Sequence, residues 1–323
     1  MIELDRISKR FNNSKKPAVN DVTLTIQEGE TCVFVGPSGC GKTTIMRMIN
    51  RLVEPTSGTI RIDGRDIMAE DQDQLRRSIG YVIQQIGLLP HRTVSDNVAL
   101  VPRLLKWTEE KTRKRVLDLL ALVGLDPEEA GGKYPHQLSG GQMQRVGVAR
   151  AMAADPPILL MDEPFGAVDP IVRSRLQDEF LQIQHNFKKT ICFVTHDIDE
   201  AMKMGDRVAI INEGRLVQHG SPIKVLSHPA DGFVRDLLGG DRGVKLLDLT
   251  KTESLMSRDE SLLKRVGKNS CTIGALQPVK AALEVMLRKD CDFLAVHKDG
   301  RVVGVLTWQE IKGHIHKISG DNP

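Results

Sequence analysis

Residues 31–43 read Thr-Cys-Val-Phe-Val-Gly-Pro-Ser-Gly-Cys-Gly-Lys-Thr, and this stretch decides the fold. The apolar run at 32–35 is short and ends at a glycine, which is typical of a buried strand. Residues 36–43 match the pattern Gly-x-x-x-x-Gly-Lys-Ser/Thr, and residues 43–52 continue with helical spacing. Strand, glycine-rich loop and helix in this order predict a phosphate-binding loop. A chance glycine turn is the alternative interpretation.

The chemistry of such a loop requires these residue types. Glycines let backbone N–H groups converge on phosphate oxygens at a helix N-terminus. Lys42 neutralises the outer phosphates, and the hydroxyl of Thr43 can ligate Mg²⁺. The predicted nucleotide-binding residues of the loop are Gly36, Pro37, Ser38, Gly39, Cys40, Gly41, Lys42, Thr43 and Thr44.

Two further apolar runs, 158–161 and 191–194, are typical of buried parallel strands that end in polar residues. Asp162 and Glu163 follow the first run, so both carboxylates should emerge at the carboxyl edge of a sheet. We expect Asp162 to hold Mg²⁺ through water and Glu163 to orient or deprotonate the attacking water. Capping of the next helix is the alternative role for this pair.

Residues 138–142, Leu-Ser-Gly-Gly-Gln, precede an apparent helix and predict a second anion site. The residues expected to bind there are Ser139, Gly140, Gly141 and Gln142. One nucleotide does not easily reach both loops if they lie at opposite ends of a domain. Two subunits arranged head to tail, each completing the other's site, would solve this. A simple helix start is the alternative interpretation of the Ser-Gly-Gly turn.

The composition limits the class of protein. A chain of 323 residues corresponds to about two domains, and 40% hydrophobic with 27% charged residues is ordinary for a soluble globular protein. A net charge of +3 argues against a dedicated nucleic-acid binder. No apolar stretch approaches the roughly 18 to 20 residues of a membrane span, and the N-terminus does not resemble a secretory signal. The five cysteines are scattered, which fits reduced thiols and a cytoplasmic location.

The pattern along the chain predicts its organisation. Alternating residues in 1–30 predict an antiparallel β layer, and roughly 94–154 is predominantly helical. Gly239-Gly240 is the predicted end of the main domain. The remaining tail is polar, then shows a helix and two strands joined by Asp299-Gly300, a strong hairpin signal.

These motifs occur in the order found in ATP-binding cassette (ABC) ATPases, and residues 1–240 resemble that family. The resemblance implies an α/β fold: a P-loop NTPase with a RecA-like core, an antiparallel β subdomain and a helical subdomain at about 90–154. It also implies ATP and Mg²⁺ as cofactors and a homodimer. In this family the residue at Cys40 points outward, so its thiol should be open to alkylation.

The family resemblance assigns further roles by position. Phe11 matches the aromatic residue that stacks on adenine, although a core position is the alternative. Gln84 matches the residue that touches the metal and the attacking water beside the surface for the transmembrane partner. Ser139 and Gly141 match residues that grip the γ-phosphate held by the other subunit.

Two more positions follow from the same resemblance. His196 matches the histidine that hydrogen-bonds the γ-phosphate and links Glu163 to the transition state, whereas a structural role is the alternative. Asp169 matches the residue that communicates across the dimer. The implied catalytic residues are therefore Glu163, His196 and Gln84, and the implied metal ligands are Thr43, Gln84 and Asp162.

Residues 48–55, 81–88, 161–170 and 195–201 look like the quaternary-amine subgroup, which imports glycine betaine, choline, carnitine or proline betaine. This likeness implies two integral membrane permease subunits, an extracytoplasmic substrate-binding protein, and a peripheral position on the inner face of the cell membrane. Residues 269–323 resemble one CBS motif, with 241–268 as a linker. An importer of an amino acid such as methionine, and a regulatory nucleotide-binding module, are the alternatives.

Overall fold

The computed structural model describes residues 1–12, 14–83, 87–166, 169–267 and 270–319. The chain forms two compact units, Met1–His219 and Gly220–Pro323. Within the described residues, every helix is too short or too polar to cross a membrane.

The first unit contains strands β1–β10 and helices α1–α9. The strands are β1 Ile2–Lys9, β2 Val19–Ile26, β3 Thr31–Val35, β4 Ser57–Ile62, β5 Arg65–Asp66, β6 Ile79–Val82, β7 Ile158–Asp162, β8 Thr190–Thr195, β9 Arg207–Asn212 and β10 Arg215–Gly220. The helices are α1 Lys42–Ile49, α2 Gln72–Ser78, α3 Val94–Val98, α4 Leu100–Leu104, α5 Glu109–Leu122, α6 Pro127–Ala130, α7 Gly140–Met152, α8 Pro170–Phe187 and α9 Ile198–Met204.

A six-stranded sheet in the order β10-β9-β3-β8-β7-β6 forms the centre of this unit. Strands β3, β7 and β8 are buried along their whole length, because helices cover both faces of a parallel sheet. Their apolar side chains therefore form a continuous run, which is why the strands are recognisable in the sequence.

The antiparallel layer and the helical segment are also present. Strands β2-β1-β4-β5 form a four-stranded antiparallel sheet. Helices α3 to α7 occupy residues 94–152 between the edge strand β6 and the central strand β7. The expected P-loop core with an antiparallel β subdomain and a helical subdomain is thus confirmed.

The second unit begins with helices. Its elements are α10 Pro222–Ser227, α11 Gly232–Leu238, α12 Arg242–Leu249, α13 Thr252–Leu255, α14 Glu260–Leu263, β11 Thr272–Gly274, α15 Val279–Lys289, β12 Phe293–Lys298, β13 Arg301–Thr307 and α16 Trp308–Ser319. Strands β11-β12-β13 form one sheet, parallel between β11 and β12 and antiparallel between β12 and β13. The segment 241–268, which the sequence indicates as a linker, carries helices α12 to α14, because residues such as Leu246 and Leu247 are buried.

One expectation about the cysteines is wrong. Cys271 and Cys291 are joined in a disulfide, whereas the sequence favours reduced thiols at all positions. The register of β11 and β12 pairs Thr272 with Ala295, so Cys271 lies beside the start of β12 and close to Cys291, a tertiary effect that the scattered spacing does not reveal. Cys32, Cys40 and Cys192 are free and buried.

Candidate active site

Three neighbouring parallel strands deliver the predicted site residues to one edge of the sheet. In the register of β3 and β8, Val35 pairs with Thr195, and in that of β7 and β8, Asp162 pairs with Val194. The strands therefore end at the same level, and the first residue after each strand lies at the same edge of the sheet. These are Gly36 after β3, Glu163 after β7 and His196 after β8.

The phosphate-binding loop ends at Gly41, which is the N-cap of α1 and has φ 111°. A side chain at this position is excluded, because its Cβ would strike the carbonyl oxygen of Ala18. Gly41 offers no side-chain hydrogen bond to the first turn of α1, and that turn contains no acidic residue. The positive end of the helix dipole therefore points into the loop without a competing carboxylate, which suits an anion.

Lys42 is buried beneath the loop and is held in place by its carbonyl groups. Its Nζ atom donates to the carbonyl oxygens of Gly36 at 2.7 Å and Pro37 at 2.9 Å. These contacts fix the ammonium group inside the loop before any anion binds, so little side-chain entropy remains to be lost on binding.

A cavity of about 270 Å³ lies over the loop. Its wall consists of Ala18, Ser38, Gly39, Gly41, Lys42, Thr43, Thr44 and Glu163. The cavity thus brings the phosphate loop and the catalytic candidate Glu163 together at one opening. Among the residues that the structure describes, the Ser-Gly-Gly loop at 139–141 does not contribute to this wall.

Cys40 departs from expectation. Its side chain is buried, with 5% exposure, and its Sγ atom lies 3.6 Å from Nζ of Lys42. The carbonyl oxygen of Cys40 accepts from the N–H of Gly214 at 2.9 Å, so the turn between β9 and β10 supports the loop from below. The expected outward thiol is therefore wrong: the loop folds over this side chain, which should resist alkylation.

Thr43 and Asp162 form the candidate metal-binding pair. The hydroxyl of Thr43 donates to Oδ1 of Asp162 at 3.0 Å, and Asp162 is 3% exposed. Burial raises the pKa of Asp162 above its usual value, and the Thr43 hydrogen bond opposes this rise. A buried carboxylate beside a hydroxyl gives two hard oxygen donors, the type that Mg²⁺ prefers, so the residues present fit this ion.

Glu163 and His196 form the second pair. Atom Nδ1 of His196 lies 3.1 Å from Oε1 of Glu163, and with a proton on Nδ1 the ring donates to the carboxylate. The Glu163 backbone N–H donates to the carbonyl oxygen of Val194 at 2.9 Å, which extends the ladder between β7 and β8 by one residue. Glu163 adopts a left-handed conformation with φ 46°, so its carboxylate leaves the sheet towards the cavity. The structure thus brings the predicted base and the predicted histidine together.

A network behind His196 holds the turn between β8 and α9. Asp197 caps α9 by accepting from the N–H groups of Asp199 and Glu200. The buried Glu200 carboxylate accepts from the side-chain amide of Gln177 on α8 at 3.0 Å. Burial raises the pKa of Glu200, while hydrogen bonds from Thr195 and Gln177 act against the rise. The turn that carries His196 is therefore held in place by hydrogen bonds to α8 and within α9.

The predicted second anion site forms the N-terminus of α7. Oγ of Ser139 accepts from the N–H of Gln142 at 3.3 Å, and the side-chain oxygen of Gln142 accepts from the N–H of Ser139 at 3.0 Å. This reciprocal capping box confirms that the turn starts a helix. Among the described residues, no atom outside the chain neighbours and the backbone of α7 lies within 4 Å of a Cβ placed at Gly140 or Gly141, so both positions face open space. The Ser139 hydroxyl still has its own hydrogen to donate.

Three remaining candidates have different outcomes. Phe11 is 44% exposed, which overturns the alternative of a core position, and Nζ of Lys9 lies 5.3 Å from its ring centroid. Asp169 is exposed and its carbonyl oxygen accepts from the N–H of Arg173 at 2.8 Å. Gln84 lies outside the described residues. The roles of all three stay predictions.

Sequence reasoning missed the residues that support the site from outside the motifs. Ala18 lines the cavity although no pattern marks it. Asn97 is fully buried and holds the segment that follows residues 84–86: Leu89 N–H donates to its Oδ1 at 2.7 Å. Its Nδ2 lies 3.1, 3.1 and 2.9 Å from the carbonyl oxygens of Leu89, Arg92 and Thr93. A single asparagine within a helical pattern carries no signal of this kind.

Comparison with known proteins agrees with this geometry. Residues 19–166 match the family model described as ABC transporter. The carnitine transport ATP-binding protein OpuCA of Listeria monocytogenes is 50% identical over 304 residues, covering 94% of this chain and 74% of that protein. The glycine betaine uptake system ATP-binding protein YehX of Escherichia coli is 44% identical over 313 residues, covering 96% of this chain and 99% of that protein.

A solved structure resembles about two thirds of the chain. The ATP-binding cassette MJ0796, described as a dimer in a post-hydrolysis state bound to ADP and Pi, is 36% identical with a TM-score of 0.63. The match covers 69% of this chain and 99% of that one. Together with the extensive identity to the two transport proteins, the fold and the paired Thr43–Asp162 and Glu163–His196 groups lead to one conclusion: the chain belongs to the family of ABC transporter ATP-binding proteins.

Proposed function

We propose that this protein hydrolyses Mg·ATP as one half of a homodimer and thereby energises the import of a quaternary ammonium osmoprotectant. The observation that carries the catalytic part is the cavity in which Lys42, Thr43 and Glu163 meet. The identity to proteins named for carnitine and glycine betaine transport, over more than nine-tenths of the chain, supports the substrate class.

In this proposal the phosphates of ATP enter the cavity over the N-terminus of α1. Lys42 places its positive charge among them, and the backbone N–H groups of the loop bind their oxygens. Thr43 and Asp162 would hold Mg²⁺, which neutralises charge on the phosphate oxygens when bound. The exposed ring of Phe11 offers a flat surface for adenine.

Glu163 acts as the general base towards the attacking water. His196 donates to its carboxylate and so keeps one oxygen oriented, which leaves the other to accept a proton from water. Because the left-handed backbone of Glu163 directs the side chain out of the sheet, the base is positioned by the strand end and not by a flexible loop. Gln84 would assist by contacting metal and water.

Dimerisation is proposed from the separation of the two anion sites. Ser139, Gly140 and Gly141 form an exposed helix start outside the wall of the cavity described above. A phosphate held by one subunit would meet this helix start in the other, where the free hydrogen of the Ser139 hydroxyl can donate to it. Asp169, exposed shortly after Glu163, would communicate across the same interface.

The two permease subunits would dock at a groove of about 210 Å³ on the first unit. The groove combines apolar residues of β6 and α4 with the side chains of Arg76, Arg77 and Arg150. Nη1 of Arg150 donates to the carbonyl oxygen of Gly87 at 2.6 Å, so the groove adjoins the segment that begins at Gly87. A short amphipathic segment with acidic residues would fit such a basic and apolar surface. In this proposal the protein lies on the cytoplasmic face of the membrane, and an extracytoplasmic binding protein delivers the substrate.

The second unit would regulate transport. Its helix–strand–hairpin–helix order around β11, β12 and β13 is the pattern expected of a CBS-like motif. Glu310 accepts from both the N–H and the hydroxyl of Thr307, so this carboxylate is already engaged at the start of α16. Within this proposal Glu310 therefore stabilises the start of α16 and is not assigned a ligand.

Reconstituted transport tests the proposal. Vesicles containing this subunit with its cognate membrane and binding proteins should take up labelled glycine betaine, choline or carnitine only with ATP inside, and Glu163→Gln should abolish uptake. ATPase activity without uptake of any quaternary amine would refute the substrate class while leaving the ATPase intact. Uptake of methionine would favour the amino-acid alternative, and absence of ATP hydrolysis would favour a regulatory nucleotide-binding module.

A further inference from the structure

The five cysteines fall into two groups with different surroundings. Cys32 and Cys192 are fully buried and pair across β3 and β8, and Cys40 lies buried under the phosphate loop. Cys271 and Cys291, in the second unit, are only partly buried and have their Cα atoms 6.8 Å apart. Solutes can therefore reach this second pair more easily than the other three thiols.

Burial makes the central pair inert. Burial raises the pKa of Cys32 and of Cys192 well above the usual value, so at neutral pH both remain thiols. Since the thiolate is the reactive form, these two positions serve as internal controls for any redox chemistry of this protein.

The fold brings Cys271 and Cys291 together from two sides. The N–H of Ala295 in β12 donates to the carbonyl oxygen of Cys271 at 2.8 Å, which anchors Cys271 beside β12. Asp290 ends α15 in a left-handed conformation with φ 49°, and the N–H of Cys291 donates to the carbonyl oxygen of Met286 at 3.1 Å. Both backbones are thus fixed by hydrogen bonds that do not need the sulfur–sulfur bond, so the thiols stay adjacent when reduced.

We propose that Cys271 and Cys291 form a reversible thiol–disulfide site that responds to low-molecular-weight disulfides. One cysteine thiolate attacks such a disulfide, forms a mixed disulfide and releases one thiol. The second thiolate then attacks the cysteine sulfur of the mixed disulfide and releases the second thiol. Each protein thiol loses a proton and together they lose two electrons, while the small disulfide gains both and becomes two thiols.

This inference rests on the proposed cytoplasmic location, because a reducing compartment makes the pair a switch and an oxidising one would make it a permanent link. Partial exposure of both sulfur-bearing residues gives a reductant access to the bond. The chemistry itself does not depend on nucleotide or substrate.

The site controls an edge of the sheet. Strand β11 has only three residues and pairs on one side with β12. After β11 the chain is held by segment 252–253, because the N–H groups of Thr252 and Glu253 donate to the carbonyl oxygens of Gln277 and Ala275 at 2.9 Å each. Before β11, the disulfide between Cys271 and Cys291 links the start of this strand covalently to the segment between α15 and β12. Reduction therefore leaves the N-terminal end of β11 held by hydrogen bonds such as that from Ala295 to Cys271, which open more often without the covalent tie.

Differential alkylation of the full-length native protein tests the site. The protein is equilibrated with oxidised glutathione or with dithiothreitol, trapped with iodoacetamide, and digested for mass spectrometry. After glutathione disulfide, a cross-linked peptide pair containing Cys271 and Cys291 should appear, and dithiothreitol should convert both to alkylated cysteines. Cys32, Cys40 and Cys192 should give no cross-link in either sample.

Hydrogen exchange tests the consequence. Amides of residues 272–274 should exchange faster in the reduced protein than in the oxidised one, and those of β8 should not change. Cys271→Ser and Cys291→Ser should each exchange like the reduced wild type whatever the redox buffer. Cysteines that remain alkylatable after oxidised glutathione, or equal exchange of 272–274 in both states, would overturn the proposal. Neither readout involves transport, so a wrong assignment of the imported substrate would not be mistaken for a failure here.

Discussion

Asn97→Ala is expected to loosen residues 89–93, which lead into the helical subdomain. Asn97 is fully buried, and its amide accepts one hydrogen bond and faces three carbonyl oxygens with two hydrogens. At most three strong hydrogen bonds exist at once. At about 1 kcal/mol each, the substitution should lower the free energy of unfolding by about 3 kcal/mol.

The measurement is urea unfolding followed by circular dichroism, with hydrogen exchange at residues 89–92 as the local readout. Asn12→Ala, at an exposed asparagine, is the matched control and should change the unfolding free energy by no more than about 0.5 kcal/mol. A loss for Asn97→Ala that is no greater than in this control would refute the account of Asn97 as the anchor of the segment.

Asn97→Asp separates hydrogen bonding from packing. The carboxylate keeps the size of the side chain and can still accept from the N–H of Leu89. It also places negative charge against the carbonyl oxygens of Leu89, Arg92 and Thr93. At neutral pH this variant should be at least as unstable as the alanine variant, and its deficit should shrink in acid as the carboxyl protonates. Wild-type stability of Asn97→Asp at neutral pH would show that packing alone matters.

Three further outcomes are expected. Glu163→Gln should slow ATP hydrolysis by about 10²- to 10⁴-fold in a steady-state assay while equilibrium titration shows retained ATP binding, and unchanged turnover would remove Glu163 as the base. Lys42→Ala should abolish nucleotide binding in the same titration, since the loop then lacks its buried cation; retained affinity would contradict that role. Burial raises the pKa of Glu200 above the ordinary 4.5, so the folded state binds the proton of this carboxyl more tightly than the unfolded state does. The stability that this proton contributes is lost as the pH rises from about 4.5 through the raised pKa. Glu200→Gln should therefore gain stability relative to wild type as pH rises through that window, in thermal unfolding across pH, and parallel pH profiles would contradict the raised pKa.

The central fold could be predicted because its signals are local. Buried parallel strands produce uninterrupted apolar runs, and the polar residues that end them mark the carboxyl edge of the sheet. The pairs Thr43–Asp162 and Glu163–His196 follow from strand order, so knowing that β3, β8 and β7 are neighbours suffices to bring them together.

The errors arose where tertiary packing decides. Cys40 is buried because the turn at Gly214 closes under the phosphate loop, a contact between residues far apart in sequence. Cys271 and Cys291 meet because β11 and β12 run parallel on either side of α15. Segment 241–268 looks polar overall, yet apolar residues such as Leu247 of α12 and Leu255 of α13 pack into the core of the second unit.

The capping box at the start of α7 restricts which residue can stand at 139. Aspartate and asparagine cap helices about as well as serine. The negative charge of aspartate would repel a phosphate. The amide of asparagine accepts through its oxygen and donates through its nitrogen, so both atoms would have to be oriented correctly at the same time. A hydroxyl accepts the N–H of Gln142 and donates its hydrogen outward through the same oxygen. Under the proposed function, Ser139 therefore keeps the helix start in one shape in both the empty and the phosphate-bound dimer, and closure requires no rebuilding of the loop.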